Sequence, residues 1–259
     1  MNKKEKRIEE IISLLKSTNF ISIRELSNLL DVSEMTIRRD IRLLEENRIA
    51  KNNSGIVIFN NNYSDINDEQ YYDVLGFQQK QNREKENIGK FAASLLEEDD
   101  IAIIDTGTTT EKIIPHLPTD KNLTILSFNL NVLMELRKNP GIHILFAGGR
   151  YHPNTQMFES VEGVNFINSL RAKKVFLSAA GIHKDYGNTC MHNYEVLTKQ
   201  AIINSSVEKI LLADSTKFDL VRSSYFSDLN QIDTIITDSG ISEQWQEYLR
   251  NMNIKLYIV

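Results

Sequence analysis

The stretch Ile101-Ala-Ile-Ile-Asp-Thr-Gly-Thr-Thr-Thr110 decides how this 259-residue chain folds. Four apolar residues typical of a buried strand lead into an acid, a glycine and a set of hydroxyls, and a helix-like segment, residues 111–116, follows. This order predicts an anion site in which backbone N–H groups and threonine hydroxyls face a ligand. The stretch lacks the further glycines of a dinucleotide motif and the lysine of a P-loop. A threonine-capped turn without a ligand is the alternative interpretation.

The chain after residue 100 alternates β-type runs with helical patterns. We predict seven strands: Ile101–Ile104, Leu123–Leu126, Ile142–Phe146, Lys174–Ser178, Lys209–Ala213, Thr234–Thr237 and Lys255–Val259. Helices are predicted between several of them, at Asn129–Lys138, Tyr194–Ser205 and Glu243–Asn251. Such alternation indicates an α/β domain with a mostly parallel sheet and helices on both faces.

Residues that follow the strands form one candidate ligand site, because ligands of parallel sheets bind beyond the carboxyl ends of the strands. Glycines allow a ligand to approach the backbone, Arg150 and Lys217 supply positive charge, and Asp105 and Asp214 can accept hydrogen bonds from sugar hydroxyls. The candidate residues are Asp105, Gly107, Thr108, Thr109, Thr110, Gly148, Gly149, Arg150, Asp214 and Lys217. Taken singly, each is also explained as a turn, a helix cap or a surface ion pair.

The first 60 residues predict three helices followed by a hairpin. Apolar residues recur at helical spacing from Ile8 to Leu15, Ser22 and Glu25 form a capping-box pattern, and Ser33 is a suitable N-cap for a helix over residues 34–47. Two helices joined by so short a turn have the outline of a helix-turn-helix. The runs around the turn at residues 52–55 predict a hairpin, which would act as a wing and bring Lys51 near DNA.

The third helix has an apolar face and a basic face. Ile37, Ile41 and Leu44 lie on the inner side, whereas Met35, Arg39 and Arg42 point outward, with Thr36 and Arg38 on the flanks. Guanidinium groups so placed can bind guanine or phosphate in the DNA major groove. The alternative is a solvated helix whose arginines pair with Asp40, Glu45 and Glu46 at helical spacing. The predicted DNA-binding residues are Ser33, Met35, Thr36, Arg38, Arg39, Arg42 and Lys51.

The distribution of charge agrees with a DNA-binding head. The chain has a net charge of −5, but residues 1–60 carry 11 Lys and Arg against 9 Asp and Glu. A single cysteine, Cys190, excludes an internal disulfide framework, and neither a signal peptide nor a membrane-spanning run is visible. The spacing of Cys190 and His192 fits no zinc pattern. We therefore expect a cytoplasmic protein without a metal, a cofactor or a membrane partner.

Several motifs resemble those of the DeoR family of bacterial transcriptional regulators. Val32-Ser-Glu-Met-Thr-Ile-Arg-Arg-Asp-Ile41 is similar to its helix-turn-helix signature. Its sensor-domain motifs are matched in order by Asp105-Thr-Gly-Thr-Thr, Ala147-Gly-Gly-Arg, Gly187-Asn-Thr and Asp214-Ser-Thr-Lys-Phe. The resemblance implies a winged helix-turn-helix head and a larger three-layer α/β domain akin to ribose-phosphate isomerase and glucosamine-phosphate deaminase. It also adds Glu195 and Lys85 to the effector site, while the wing and Gln156–Glu159 depart from the family pattern.

These observations predict a winged helix-turn-helix domain over residues 1–60, a linker over 61–81 and an α/β sugar-phosphate sensor domain over 82–259. The expected function is that of a transcriptional repressor of a carbohydrate operon, which a phosphorylated sugar releases from operator DNA. Paired heads would match paired half-sites, so a homo-oligomer, either a dimer or a tetramer, is expected. One alternative is a sugar-phosphate isomerase or deaminase with an added head, and another is a module whose head docks protein.

Overall fold

The computed structural model describes residues 3–18, 20–46, 49–53, 55–59 and 82–259. The chain divides into two compact units, Met1–Gln79 and Lys80–Val259. The predicted linker, residues 61–81, lies outside the described residues. No helix in the described ranges is both long enough and apolar enough to cross a membrane.

The described part of the first unit combines three helices with a small antiparallel sheet in the order β1-β3-β2. In chain order the elements are α1 Lys3–Thr18, β1 Phe20–Ser22, α2 Ile23–Leu29, α3 Glu34–Glu46, β2 Ala50–Asn53 and β3 Ile56–Phe59. The predicted hairpin is thus present as β2 and β3. The strand β1 was not predicted, since three residues give too short a pattern, and it pairs Ile21 with Val57.

The core of this unit follows from the apolar stripes of its helices. Ile11 and Leu15 of α1, Leu26 of α2 and Ile37 of α3 are fully buried together, and each such side chain contributes about 1.5–3 kcal/mol by leaving water. The capping box at the start of α2 is confirmed. Ser22 Oγ accepts a hydrogen bond from the Glu25 N–H at 3.1 Å, and Glu25 Oε2 accepts one from the Ser22 N–H at 3.1 Å.

The second unit is built on a seven-stranded parallel sheet, as predicted, with the order β15-β14-β12-β9-β4-β5-β6. Its strands are β4 Ile101–Ile104, β5 Leu123–Ser127, β6 Ile142–Phe146, β9 Ala172–Ser178, β12 Ser206–Leu212, β14 Thr234–Thr237 and β15 Lys255–Ile258. Strand β9 begins at Ala172, two residues before the predicted start at Lys174, because Ala172 already pairs with Ser206 of β12. Lys174 forms a buried ion pair with Asp100, whose Oδ2 lies 2.8 Å from Lys174 Nζ.

Helices cover both faces of this sheet. The helices are α4 Asn82–Ser94, α5 Leu130–Leu136, α6 Val161–Ser169, α7 Val196–Asn204 and α8 Glu243–Asn251, with a 3₁₀ helix at Thr110–His116. Successive strand residues point to opposite faces of the sheet and belong to two separate cores. Ile103 lies in the core shared with α6, α7 and α8, and Ile104 lies in the core shared with α4, α5 and the 3₁₀ helix. This gives the predicted three-layer α/β arrangement, in which the helical segment after β4 is of 3₁₀ type and contains Pro115.

Two smaller sheets were not predicted, because their short strands form neither an apolar run nor a clear alternating pattern. A hairpin pairs β7 Arg150–His152 with β8 Met157–Glu159, and a three-stranded sheet contains β10 Gly181–His183, β11 Gly187–Cys190 and β13 Ser224–Ser227. The hairpin is joined to the main sheet at its carboxyl end: the Leu130 N–H donates to Gln156 O at 2.7 Å and the Phe158 N–H to Phe128 O at 2.7 Å. The hairpin therefore borders the candidate ligand site.

Candidate functional site

Helix α3 is preceded by Ser33, whose hydroxyl accepts a hydrogen bond from the Thr36 N–H at 3.3 Å and lies 2.9 Å from Thr36 Oγ1. Both hydroxyls of the predicted DNA-binding set are therefore engaged in the helix cap. Their capping fixes where the helix begins, and hence which side chains point outward.

The outward face of α3 consists of Met35, Arg38, Arg39 and Arg42, all of which are exposed. Arg38 forms a loose ion pair with Glu34 at 3.6 Å. Arg39 and Arg42 form no salt bridge with any residue that the structure describes. Two guanidinium groups are thus available to an external anion.

In the alternative interpretation Asp40 pairs with these arginines, and the structure contradicts that pairing. Asp40 is fully buried, and its Oδ2 accepts a hydrogen bond from Arg7 Nε of α1 at 2.7 Å. Glu45 also turns away, since its Oε1 accepts a hydrogen bond from the Asn52 N–H of β2 at 2.7 Å. Both carboxylates thus link α3 to neighbouring elements of the head. Helical spacing suggested arginine partners because it considers only residues of the same helix.

The wing turn is ordered by a hydrogen bond from the Gly55 N–H to Asn52 Oδ1 at 3.0 Å. Lys51 lies in β2, exposed, and β2 packs against α3. The structure therefore brings Lys51 and the arginine-bearing helix together in one unit, on neighbouring elements.

The loop after β4 is organised by its glycine and its threonines. Gly107 has a φ of +151°, and a Cβ at this position would lie 2.8 Å from the Ser178 side chain, so only glycine fits without strain. Thr110 Oγ1 donates within the loop, to Asp105 O at 2.8 Å and Gly107 O at 2.9 Å. These bonds close a tight turn at the start of the 3₁₀ helix.

Four successive backbone N–H groups of this loop, from Gly107 to Thr110, donate no hydrogen bond to any residue that the structure describes. The Thr109 side chain is only 6% exposed and has no cap hydrogen bond, whereas Thr108 is exposed. Gly107 is half-buried and Thr108 is exposed, so these N–H groups bind water or a ligand rather than the protein. Together with the Thr109 hydroxyl, they form the donor set that an anion would satisfy.

A buried ion pair lies beneath the loop. Asp105 is fully buried, and its Oδ2 lies 2.5 Å from Lys199 Nζ and accepts a hydrogen bond from the Ser178 N–H at 2.9 Å. Its Oδ1 accepts the Thr106 N–H at 2.8 Å. Both carboxylate oxygens of Asp105 thus have partners within the chain. The prediction that they accept hydrogen bonds from sugar hydroxyls therefore concerns oxygens that already accept hydrogen bonds.

Sequence reasoning missed Lys199, which is only 1% exposed on α7. Burial disfavours its charge, but the nearby carboxylates of Asp105 and Glu195 raise the pKa of Lys199. The signal that could have revealed it is a lysine on the apolar side of a helix, flanked at helical spacing by residues such as Ile202 and Ile203.

A polar network connects the loop to the β7–β8 hairpin. Thr106 Oγ1 donates to Thr155 O at 2.9 Å, and Asn129 Nδ2 donates to Thr106 Oγ1 at 2.8 Å and to Thr155 O at 2.9 Å. The hairpin carries Arg150, which is exposed. The chain enters it through Gly149, where a Cβ would lie 2.3 Å from Glu159 O. This network joins the hairpin that bears Arg150 to the loop after β4.

The Gly148–Gly149 turn also borders a groove of about 380 Å³, lined by Phe146, Ala147, Gly148, Gly149, Ser160, Glu162, Gly163 and Phe166. None of the loop residues 105–110 lines it. The groove is therefore distinct from the donor set of the loop.

Asp214 caps a single 3₁₀ turn, Ser215–Lys217, beyond the carboxyl end of β12, and Lys217 is the last residue of that turn. Asp214 is 1% exposed, and its Oδ1 caps this turn by accepting the Thr216 N–H at 3.1 Å. Asp238 accepts the Ser215 N–H at 2.6 Å. The cap thus sets the position of Lys217, which is half-buried.

Glu195 and Lys85 are both buried, at 5% and 2% exposure. Glu195 Oε1 accepts the His192 N–H at 3.0 Å, in the 3₁₀ turn that precedes α7. Lys85 lies in the first half of α4, which packs on the 3₁₀ helix that follows the loop. Lys85 therefore belongs to an element that adjoins the loop, and Glu195 directly precedes the helix that carries Lys199.

Three aromatic rings lie side by side near the hairpin. The Tyr194 ring is nearly parallel to that of His152, at 3.7 Å between centroids, and to that of His192, at 4.9 Å. Burial raises the pKa of Tyr194 to about 12, and burial also raises the pKa of the Cys190 thiol to about 12. Both groups are neutral at physiological pH.

Among the described residues no group of three or more His, Cys, Asp or Glu could hold a metal ion.

Comparison with protein-family models identifies both units. Residues 7–62 match the DeoR-like helix-turn-helix domain, and residues 80–239 match the DeoR C terminal sensor domain. The chain belongs to the DeoR family. This confirms the resemblance noted in the motifs, and it makes the chain a DNA-binding transcriptional regulator rather than an isomerase or a deaminase.

Individual relatives match over nearly the whole chain. The deoxyribose operon repressor of Escherichia coli (strain K12) is 28% identical over 98% of each chain. The HTH-type transcriptional regulator GolR of Listeria innocua is 31% identical over 92% of this chain and 91% of its own length. The lactose phosphotransferase system repressor of Lactococcus lactis subsp. lactis is 32% identical over 95% of each.

Two solved structures are similar to part of the chain. Ribose 5-phosphate isomerase A of Methanocaldococcus jannaschii has a TM-score of 0.40 and 12% identity, over 54% of this chain and 55% of its own. The eIF2B delta subunit of Chaetomium thermophilum has a TM-score of 0.45 and 17% identity, over 64% of this chain and 59% of its own.

Proposed function

We propose that this DeoR-family regulator represses a carbohydrate operon and leaves its operator when a phosphorylated sugar binds at residues Gly107–Thr110. The observation that carries the proposal is the run of four backbone N–H groups without a partner in the described residues, next to the buried Thr109 hydroxyl. A phosphate oxygen is an acceptor for such groups at the start of a helical segment. Relatives named as a deoxyribose operon repressor and a lactose phosphotransferase system repressor support a sugar-linked role.

The phosphate and the sugar would use different residues. Arg150 on the hairpin and Lys217 on its capped turn supply cations at the same edge of the sheet as the loop. Gly148 and Gly149 let a ligand approach the backbone. Asp214, Glu195 and Lys85 are the remaining polar candidates for the sugar. Asp105 would act from below the loop, since its two oxygens already accept hydrogen bonds.

DNA binding would use the outward face of α3. Arg39 and Arg42 would bind guanine edges or phosphates in the major groove, with Met35 and Arg38 beside them. Lys51 of the wing would bind the DNA backbone, while Ser33 and Thr36 orient the helix through their cap. We infer that residues 1–60 form this head, that residues 61–81 link it to a sensor over residues 82–259, and that the protein acts in the cytoplasm.

Release of the operator requires the sugar phosphate to favour a conformation in which the heads are spaced differently, because a ligand shifts only states that it binds unequally. Paired heads imply a homo-oligomer, a dimer or a tetramer, on paired half-sites. Coupling of this kind amounts to about 1–3 kcal/mol, or roughly 5–150-fold in operator affinity.

The proposal is tested by a thermal-shift screen of the purified protein against phosphorylated pentoses, hexoses and polyols, followed by operator binding with and without the best binder. We expect the best binder to weaken operator binding of the wild type and to have little effect on Lys217→Ala. The matched control is Arg250→Ala, which removes one cation from the exposed part of α8. A Lys217→Ala protein that responds like the wild type would contradict the assignment of this site.

A further inference from the structure

Lys199 is the group of the sensor unit that the proposed function leaves without a role. Its ammonium is 2.5 Å from Asp105 Oδ2, 3.0 Å from Ser178 O and 3.3 Å from Ser178 Oγ. It also lies 4.9 Å from the centroid of the Phe226 ring. A lysine without access to solvent and with every partner inside the chain has a fixed position.

The partners of Lys199 are the residues that hold the loop. Ser178 Oγ lies 2.5 Å from Thr106 O and packs where a Cβ of Gly107 would be. Asp105 O accepts the Thr110 hydroxyl. The ion pair therefore fixes both ends of the segment that presents the free N–H groups.

The charge of Asp105 has a direct bearing on anion binding. Its carboxylate is buried one residue before the loop, so without compensation its field would repel a phosphate held there. Lys199 supplies the compensating charge at hydrogen-bond distance. The titratable groups whose fields reach the ammonium are Asp105, Glu195 and Cys190.

We infer that Lys199 is a positioning residue of the effector site, which neutralises Asp105 and fixes the loop so that the N–H groups of Gly107–Thr110 bind the phosphate. This inference rests on the proposed function. The proposed role differs from direct binding of the phosphate, because Lys199 acts on the ligand only through Asp105 and Ser178. A lysine that bound phosphate itself would be needed whether or not Asp105 carried a charge.

The test uses sulfate as the probe, since sulfate remains a dianion over the pH range employed. Thermal unfolding of the full-length protein is followed by the fluorescence of Trp245, the single tryptophan, in sodium sulfate and in sodium chloride of equal ionic strength. Sulfate also stabilises proteins nonspecifically. The site-specific part is defined as the gain in Tm that Thr108→Asp removes, because an acid at this exposed position repels an anion.

At about pH 8 we expect Lys199→Met to lose most of the site-specific gain and Lys199→Arg to keep at least about half of it. At about pH 5.5 the gain should return in Lys199→Met, relative to the wild type at the same pH, because an unpaired buried carboxyl takes up a proton readily. The double variant Asp105→Asn with Lys199→Met should keep the gain at both pH values. Loss of packing alone would lower Tm equally in both salts and would leave this difference unchanged.

Three outcomes would overturn the inference. A Lys199→Met protein with the wild-type gain at pH 8 shows that the lysine is dispensable. A double variant without the gain shows that neutralisation of Asp105 is not what the site requires of Lys199, and this result also decides the matter if the single variant fails to fold. A wild type whose gain is unaffected by Thr108→Asp contradicts the proposed anion site, and with it the inference.

Discussion

Helix α3 of the head and helix α7 of the sensor unit both carry cations, and their surroundings are opposite. Arg39 and Arg42 are exposed and form no salt bridge within the described residues, whereas Lys199 is buried against Asp105 at 2.5 Å. An exposed guanidinium is available to an external partner such as DNA. A buried ammonium is already committed, so it can influence a ligand only through the residues that it holds. We therefore propose that charge serves recognition in the head and preorganisation in the sensor.

The largest expected effect is on the stability of the sensor unit. Lys199→Met leaves the buried Asp105 carboxylate without its partner, which should cost about 3–5 kcal/mol in the free energy of unfolding. The matched control is Lys138→Met, because Lys138 forms an exposed ion pair with Glu135 at 2.6 Å and should cost less than about 1 kcal/mol. Urea unfolding followed by Trp245 fluorescence measures both, since this residue is buried in the second unit.

The double variant Asp105→Asn with Lys199→Met should recover most of that loss, because it removes both charges together. Equal costs for Lys199→Met and Lys138→Met would mean that the two kinds of ion pair do not differ in this protein, and the comparison would fail.

The next effect concerns the head. Arg39→Ala or Arg42→Ala should weaken operator binding by about 1–3 kcal/mol, while urea unfolding of the sensor unit stays as in the wild type. Arg250→Ala, which removes the same charge from α8, is the control for a change in net charge alone. Electrophoretic mobility shift at several salt concentrations gives the affinity. Unchanged affinity in both arginine variants would show that the recognition face is assigned to the wrong side of α3.

The sequence predicts the main sheet well, because Ile101–Ile104 is a continuous apolar run and Thr234–Thr237 consists of β-branched residues, both typical of buried parallel strands. It also predicts the capping box of Ser22 and Glu25, since both residues lie within one helical turn. It misses the short strands β7, β8, β10, β11 and β13, whose three or four residues carry no period. Their pairing depends on partners far along the chain, as between β11 and β13.

Site residues divide in the same way. The tight turn at Gly107–Thr110 could be predicted, because the glycine and the hydroxyls that form it are neighbours in the chain. Lys199 lies 94 residues from its partner Asp105, and the residues next to Lys199 in the sequence do not indicate which residue pairs with it. Asp40 shows the converse error: local spacing suggested arginine partners on α3, and the fold gives it Arg7 of α1 instead.

The smallest expected effect separates stability from recognition at one residue. Arg38 and Glu34 form an exposed i,i+4 pair at 3.6 Å, and each side chain is about half exposed. Arg38→Ala should therefore change the stability of the head by no more than about 0.5 kcal/mol. Because the pair holds its guanidinium only loosely, operator DNA can compete for it, so operator affinity should fall even though stability does not. Thermal unfolding followed by far-ultraviolet circular dichroism, together with the mobility-shift assay, measures both quantities. A loss of stability as large as that of Lys199→Met would mean that an exposed cation of α3 also serves the fold, and the division between the two units would no longer hold.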